Sequence, residues 1–319
     1  MRAFIFPGQG SQSVGMGKAL AEGSAEARAV FQEVDEVLGQ HLFRLMSEGP
    51  EDQLQLTENA QPAIMANAIA TLRVLEKEGG IRLADKADYV AGHSLGEYTA
   101  LCAAGAIDLA TTALLLKHRG LAMQAAVPVG VGAMAALLGA DIDKARTIAE
   151  AAAEGPAPEG GDKWVCTVAN DNDPSQVVIS GHRGAIERAV ALAKEMGAKR
   201  AVLLPVSAPF HCPLMQPAAD AMAKALADAR IDAPLVPVVA NVTASPVGDV
   251  DTIRRLLVEQ VTGMVRWRES VLAMAETGVE RFVEFGGKVL TPMVKRIAAD
   301  VDAVSVVTMA EIEALAKAL

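Results

Sequence analysis

Ser94 sits in Gly92-His93-Ser94-Leu95-Gly96, behind the short apolar run Tyr89-Val90-Ala91 and ahead of residues that read as a helix start. A serine flanked in this way predicts a nucleophile elbow, a strand-to-helix turn that thrusts the hydroxyl outward, because the glycines permit a backbone that a Cβ would block. The helix behind such a serine aims free N–H groups at the reacting centre, which makes the N–H of Leu95 a donor to an oxyanion. Glu97 falls in the first turn of that helix and reads as support for the helix dipole. A serine nucleophile needs a base, and of the five histidines the candidate is His211, held in the proline-bounded loop Pro209-Phe210-His211-Cys212-Pro213. His41, His93, His118 and His182 read as structural or solvated, and His93, next to the serine, is badly placed to fold back as its base. Cys212 is disfavoured as a rival nucleophile, since adjacent side chains diverge and buried cysteines are commonly inert.

One cation breaks a pattern. Asp108 reads as the N-cap of a helix running to about Ala126, and within it Leu115, Arg119 and Met123 recur every fourth residue, so Arg119 rides in the stripe that faces the interior. Burying a guanidinium without a partner is costly. Two readings follow: an ion pair with an internal Asp or Glu, or a substrate carboxylate held bidentately. The loop Pro7-Gly8-Gln9-Gly10-Ser11-Gln12 lacks the lysine and Ser/Thr of a phosphate-binding loop. It reads as a strand-to-helix turn, or as the source of a second oxyanion donor, the backbone N–H of Gln9.

The elements that must position these residues follow from periodicity and turn chemistry. Ala3 to Phe6 reads as a buried strand, and amphipathic helices fill the next fifty residues. A helix starts at Gln61-Pro62, with Pro62 at a first helical position and Ile64, Ala68, Leu72 and Leu75 as its buried stripe. From residue 128 the chain spells strand (Ala133–Leu138), helix (Ile142–Ala153), strand (Val165–Ala169), strand (Gln176–Ser180), helix (Ala185–Met196) and strand (Arg200–Pro205). This βαββαβ order is the ferredoxin-like split arrangement, so residues 128–205 are expected to form a small domain inserted into a large one built from 1–127 and 206–319. The stretch from Glu154 to Lys163, rich in Gly, Pro and charge, reads as an exposed loop without chemistry. After residue 206 strands and helices alternate to the end, which predicts a parallel sheet covered by helices.

Composition narrows the function classes. The 319 residues are 51% hydrophobic with a net charge of -10, which fits a compact globular protein and gives no overall basic field to draw nucleic acid. The three cysteines lack C-x-x-C spacing, so neither a disulfide framework nor a zinc site is expected, and a reducing cytoplasm fits. The start of the chain is too short in apolar residues for a signal peptide, and the longest apolar region, Leu101 to Leu116, is broken by Gly105 and Asp108, so no membrane span is expected.

Taken together, Phe6-Pro7-Gly8-Gln9-Gly10-Ser11-Gln12, Gly92-His93-Ser94-Leu95-Gly96, His118-Arg119-Gly120, Pro209-Phe210-His211-Cys212 and Val258-Glu259-Gln260 resemble the malonyl-CoA:acyl carrier protein transacylase family over nearly the whole chain. The resemblance implies an α/β-hydrolase-like large domain with a ferredoxin-like insert. It also implies an acyltransferase of fatty acid synthesis, acting without a cofactor as a monomer, whose partners are malonyl-CoA and acyl carrier protein. It assigns the nucleophile to Ser94, the base and acid to His211, the grip on the free carboxylate to Arg119 and the oxyanion donors to the N–H groups of Gln9 and Leu95. The backbone carbonyl of Gln260 takes the place of a triad aspartate, Asn170 and Asn172 line the cleft, and Phe210 is the bulky neighbour that accompanies malonyl over methylmalonyl in related polyketide domains. Two departures stand out: the 154–163 loop is longer than usual, and Phe285-Gly286-Gly287-Lys288 is one residue short of the common Gly-Pro-Gly-Lys. A serine esterase or thioesterase shares the elbow but gains nothing from an interior cation and needs an Asp or Glu between Ser94 and His211. A non-enzymatic binding module for acyl carrier protein needs no nucleophile at all.

Overall fold

The computed structural model describes residues 1–155 and 163–319. The chain opens with strand β1 (Arg2–Phe6), then helices α1 (Lys18–Gly23), α2 (Ala25–Leu38), α3 (Leu42–Glu48), α4 (Glu51–Leu54), α5 (Thr57–Lys77) and α6 (Leu83–Lys86). Strand β2 (Tyr89–Gly92) and helices α7 (Gly96–Ala103) and α8 (Leu109–Ala125) follow, with the Asp108 side chain capping α8 through the N–H of Thr111 at 2.7 Å. The next unit is β3 (Gly132–Leu138), α9 (Ile142–Ala153), β4 (Cys166–Asp173), β5 (Gln176–His182), α10 (Arg183–Ala193) and β6 (Arg200–Leu203). After a 3-10 turn (Pro213–Met215) come α11 (Gln216–Asp228), β7 (Val238–Ala240), β8 (Ser245–Val247), α12 (Val250–Thr262), α13 (Trp267–Glu276), β9 (Arg281–Phe285), α14 (Leu290–Ile297), β10 (Asp302–Val306) and α15 (Met309–Ala318).

Two sheets organise these elements. The larger runs β10-β9-β1-β2-β7-β8, parallel from β10 to β7, with β8 added as an antiparallel edge that the sequence reading had not anticipated. Helices cover both faces, as a body of parallel strands requires. Phe4 and Phe6 enter one core while Ala3 and Ile5 enter the core on the opposite face, the period-two alternation of a strand buried on both sides. The smaller sheet runs β4-β5-β3-β6, all antiparallel, and helices α9 and α10 close over it around a separate alanine-rich core. Second, third, first and fourth strand in that spatial order is the ferredoxin-like arrangement expected from the βαββαβ order. Residues 156–162 of the expected exposed loop lie outside the described residues.

Two expectations about elements are corrected. Helix α5 begins at Thr57, four residues before the proposed start, so Pro62 lies inside it, just past the first turn, and the helix is buried almost all round from Thr57 to Leu75 rather than along one stripe. Residues 57–61 already supply a first turn, and a proline just beyond it loses only one helical hydrogen bond, a cost the surrounding core offsets. Strand β4 continues past Ala169 to Asp173. Asn170 to Asp173 are polar, and the pattern hid their strand because the partners of its two aspartates come from helices of the large unit.

Those partners fasten the small unit to the large one. The backbone of β4 exchanges hydrogen bonds with Val265, which donates to Ala169 O at 2.8 Å and accepts from Asp171 N at 3.0 Å. Asp171 and Asp173, whose side chains have no exposure, pair with Arg268 on α13 and Arg296 on α14 at 2.8 Å each. A buried carboxylate stripped of its cation is strongly destabilising, whereas an exposed ion pair contributes little. Arg268→Met is therefore expected to lower unfolding free energy by about 3 kcal/mol, and Arg44→Met, at the exposed pair with Glu48, by less than about 0.5 kcal/mol; urea denaturation of both variants measures the contrast.

Candidate active site

The C-terminal ends of β1, β2 and β7 meet at one rim of the large sheet, and there the chain turns sharply at Ser94. Its φ is 54°, in the left-handed region that costs a non-glycine residue energy. A Cβ on Gly92 would come within 1.8 Å of Gly96 O, and one on Gly96 within 2.3 Å of Phe6 O, so the elbow closes only because both positions are glycine. Asn241, just past β7, ties down both sides of the turn: its Oδ1 accepts from Ser94 N at 2.8 Å and its Nδ2 donates to Gly92 O at 2.7 Å. Leu95 is the N-cap residue of α7, so its N–H opens that helix beside the serine.

His211 faces Ser94 from the loop after β6. It too has a left-handed backbone, with φ 55°. Nδ1 donates to the backbone carbonyls of Gln260 at 2.8 Å and Gly263 at 3.2 Å, both at the C-terminal end of α12. Because carbonyls only accept, these contacts place the ring proton on Nδ1 and leave Nε2 as the acceptor for the Ser94 hydroxyl, 2.7 Å away. Burial, followed by the positive charge of Arg119, pushes the imidazole down to about 3. Cys212 points elsewhere, its Sγ donating to Pro209 O at 3.2 Å, and burial raises its thiol.

Arg119 is 1% exposed. Gly120 lets helix α8 press against the first turn of α5, where a Cβ would lie 2.6 Å from Glu58 Cα, and this approach brings Gln61 within reach. Nη1 donates to Gln61 Oε1 at 2.8 Å; Nη2 donates to Gln260 Oε1 at 2.9 Å and to Ser94 Oγ at 3.2 Å. Every one of these oxygens is neutral, and no carboxylate pairs with Arg119 among the described residues. Of the two sequence readings, the internal ion pair is therefore absent there: the guanidinium reaches the cavity with no carboxylate in contact, and the buried carboxyl of Glu97 acts on it only through space.

The cavity itself holds about 450 Å³ and is lined by Gln9, His93, Ser94, Leu95, Arg119, Met134, Asn170, Phe210 and His211 among others. The large unit supplies its floor, and Met134 on β3 and Asn170 on β4 supply its far wall. Asn172 is not part of that lining. It is 5% exposed, and its Oδ1 accepts from Nε2 of His93 at 2.7 Å, because the next step along β4 carries the side chain beyond the cavity and onto the imidazole ring. His93, read from sequence as merely structural or solvated, thus both borders the cavity and joins the elbow to the small sheet. Lys117 is engaged by Gln40 and Asn59 at 2.9 and 3.1 Å, whereas Lys199 and Arg200 are exposed. Gly286 in the shortened glycine motif offers its carbonyl to Asn67 Nδ2 at 3.0 Å.

Sequence reasoning missed the layer under the cavity. Glu97 does not face solvent at the helix start. It is 3% exposed and turns inward, and one oxygen, Oε2, accepts from Asn241 N at 3.0 Å and from Gln260 Nε2 at 2.8 Å. The side chain of Gln260, as distinct from its carbonyl, also went unread. A signal existed for neither, because amides and a carboxylate scattered over 163 positions meet only when β2, β7 and α12 are packed.

Comparison with known proteins places this geometry in context. The acyl transferase domain model matches residues 3–310. The malonyl CoA-acyl carrier protein transacylase of Escherichia coli is 46% identical over 318 residues, covering 99% of this chain and 98% of that one. The crystal structure of acyl-carrier-protein-S-malonyltransferase from Bartonella henselae superposes with a TM-score of 0.94 at 52% identity, covering 99% of this chain and 98% of that one. A structure of a type II PKS acyl-carrier protein in complex with its malonyl-transacylase superposes with a TM-score of 0.93 at 39% identity, covering 100% of this chain and 99% of that one. Matched from end to end in sequence and in fold, the chain belongs to the acyl transferase family and, within it, to the malonyl CoA-acyl carrier protein transacylases.

Proposed function

We propose that this chain moves the malonyl group of malonyl-CoA onto the phosphopantetheine thiol of acyl carrier protein through a malonyl ester on Ser94. The observation that carries the reading is Arg119, a buried guanidinium 3.2 Å from the Ser94 hydroxyl whose hydrogen-bond partners among the described residues are all neutral oxygens. A buried cation left in this state is unfavourable until an anion arrives, and malonyl carries its carboxylate two bonds beyond the thioester carbonyl. The carboxylate grips the guanidinium, and the carbonyl carbon is delivered to Ser94 Oγ.

The steps use side chains and backbone of this chain. His211 Nε2 takes the hydroxyl proton as Ser94 Oγ attacks, and the N–H groups of Leu95 and Gln9 stabilise the oxyanion. The C–S bond then breaks, protonated His211 returns the proton to the CoA sulfur, and malonyl remains esterified to Ser94. The phosphopantetheine thiol reverses the sequence: it yields its proton to His211, attacks the ester, and leaves Ser94 reprotonated. Carboxylate binding also neutralises Arg119, the second influence that holds His211 low, so substrate itself helps the imidazole carry the proton between steps.

A hydrolase reading is less well supported. The carboxylates that lie between Ser94 and His211 in β4 are committed to Arg268 and Arg296, and carbonyls rather than an acid orient His211. The division into a catalytic domain of residues 1–127 and 206–319 with an insert of 128–205 belongs to the same proposal, supported by the separate core of the small unit. So do a cytoplasmic location, supported by three free thiols, and a monomeric state. No helix of the described residues is long and apolar enough to cross a membrane.

Intact mass after mixing with malonyl-CoA tests the reading directly: a malonyl adduct on wild type that discharges on adding acyl carrier protein is expected, with none on Ser94→Ala. Adduct on Ser94→Ala, or discharge to water at the same rate without carrier, would sink it. Arg119→Ala should reduce kcat/KM for malonyl-CoA by about a hundredfold, the weight of a lost charge-assisted contact, and leave acetyl-CoA undiminished; equal losses would make Arg119 structural. A histidine depressed in the folded enzyme is uncharged at every pH above its low value, so kcat/KM for acylation should stay level from ~pH 7.5 to ~pH 5, where a base of ordinary histidine character would lose about thirtyfold. A pH profile of kcat/KM, which reports the free enzyme, decides between the two.

A further inference from the structure

Glu97 lies beneath the reacting centre, and none of the steps above uses it. Its carboxylate is buried, and the single oxygen Oε2 takes two donors, the backbone N–H of Asn241 and the amide of Gln260. Those two residues hold the rest of the site. Asn241 grips the elbow on both sides of Ser94, while Gln260 gives its carbonyl to His211 and its Oε1 to Arg119.

A glutamine amide has an oxygen end and a nitrogen end of nearly equal shape, and rotation by half a turn exchanges them. Here the exchange would set an NH2 against the Arg119 guanidinium, two donors facing each other in a buried place. A carboxylate oxygen that already accepts from Asn241 N can only accept, so it selects the NH2 end of Gln260 and turns Oε1 toward Arg119. Ser94 O and Asn241 Oδ1, at 3.0 and 3.3 Å from the same nitrogen, favour the same sense, but the contact to the carboxylate is the shortest of the three and the only one that charge strengthens. We propose that Glu97 is a positioning residue for malonyl selection: by fixing the sense of the Gln260 amide it holds the Arg119 guanidinium over Ser94, where the substrate carboxylate is to be met. The inference rests on the malonyl-transfer reading.

Burial raises the Glu97 carboxyl to about 7. The arrangement accommodates either protonation state, since two donors already fill Oε2 and an added proton goes to the other oxygen. For the same reason Glu97→Gln preserves the device: the carbonyl end of the new amide meets both donors. Glu97→Ala removes it and leaves Gln260 free to turn.

The test is kcat/KM for malonyl-CoA and acetyl-CoA in wild type, Glu97→Gln, Glu97→Ala and Gln260→Met, with thermal melts alongside. Misplacement of an orienting group by about 1 Å costs up to ~100-fold, so the malonyl-to-acetyl ratio should fall at least about tenfold in Glu97→Ala and in Gln260→Met, and stay within about threefold of wild type in Glu97→Gln. Glu97→Ala combined with Gln260→Met should show no further fall in the ratio, because both act through one amide. If Glu97→Ala does not fold, Glu97→Gln and Gln260→Met carry the same comparison. A ratio unchanged in Glu97→Ala, with both substrates reduced alike and the melt lowered, overturns the proposal and leaves Glu97 a helix support. A fall in Glu97→Gln equal to that in Gln260→Met overturns it as well, since charge rather than direction would then be at work. A wild type that forms no malonyl adduct overturns the transferase reading and this inference together; an adduct with an unchanged ratio in the variants overturns this inference alone.

Discussion

A guanidinium buried among neutral oxygens is the constraint on which the rest of this structure depends. Removing Arg119 from water without an ion pair is costly, and the protein meets the cost with directed dipoles: Gln61 Oε1 and Gln260 Oε1 each accept from it, and the Tyr98 ring lies 5.6 Å from Cζ. Those dipoles must themselves be aimed. Gln61 is aimed by its place in the first turns of α5, and the close crossing at Gly120 brings α8 onto that turn. Gln260 is aimed by Glu97 and Ser94 O. The guanidinium therefore links α5, α7, α8 and α12 through a few neutral contacts and keeps its charge available to the cavity.

The same logic accounts for a histidine oriented by carbonyls. A carboxylate at His211 Nδ1 would stabilise the imidazolium, but it would also place a full negative charge near Arg119 and weaken the pull of that guanidinium on an anion in the cavity. Carbonyls of Gln260 and Gly263 fix the tautomer without that charge. The consequence is a base far less basic than an ordinary histidine, uncharged in the resting site, with Ser94 Oγ as its hydrogen-bond donor.

Strain at the reacting pair is held by the surrounding contacts. Ser94 and His211 both occupy left-handed backbone, at a cost on the order of 1–3 kcal/mol each. Asn241 and the two elbow glycines maintain the first; the paired carbonyls at the end of α12 maintain the second. The small sheet is fastened to this assembly at β4, where Asp171 and Asp173 face their arginines and the alternate residues, Asn170 and Asn172, face the cavity and His93. One strand thereby positions the cavity wall and the rear of the elbow at once.

Much of this was legible in the chain. Local chemistry determined the elbow, because a serine between glycines after an apolar run has few other solutions, and helical periodicity alone exposed Arg119 as a cation pointing inward. The order of strand and helix patterns determined the small sheet and the parallel body of the large one, though not its antiparallel edge β8, and the Pro-bounded loop singled out His211. Sequence did not determine what Arg119 would meet, that Glu97 would turn inward, or that His93 would reach Asn172. Nor did it reveal that β4 runs on through Asn170 to Asp173, or that α5 begins at Thr57 with Pro62 inside it. Periodicity reports which face of an element leaves water, and it is silent on which polar groups from distant elements arrive there. Pairings such as Gln260 with Glu97, or Asp173 with Arg296 across 123 positions, exist only after packing has paid the entropy of bringing those elements together, so tertiary structure alone decided how the buried charges are matched and where the substrate's charge remains to be met.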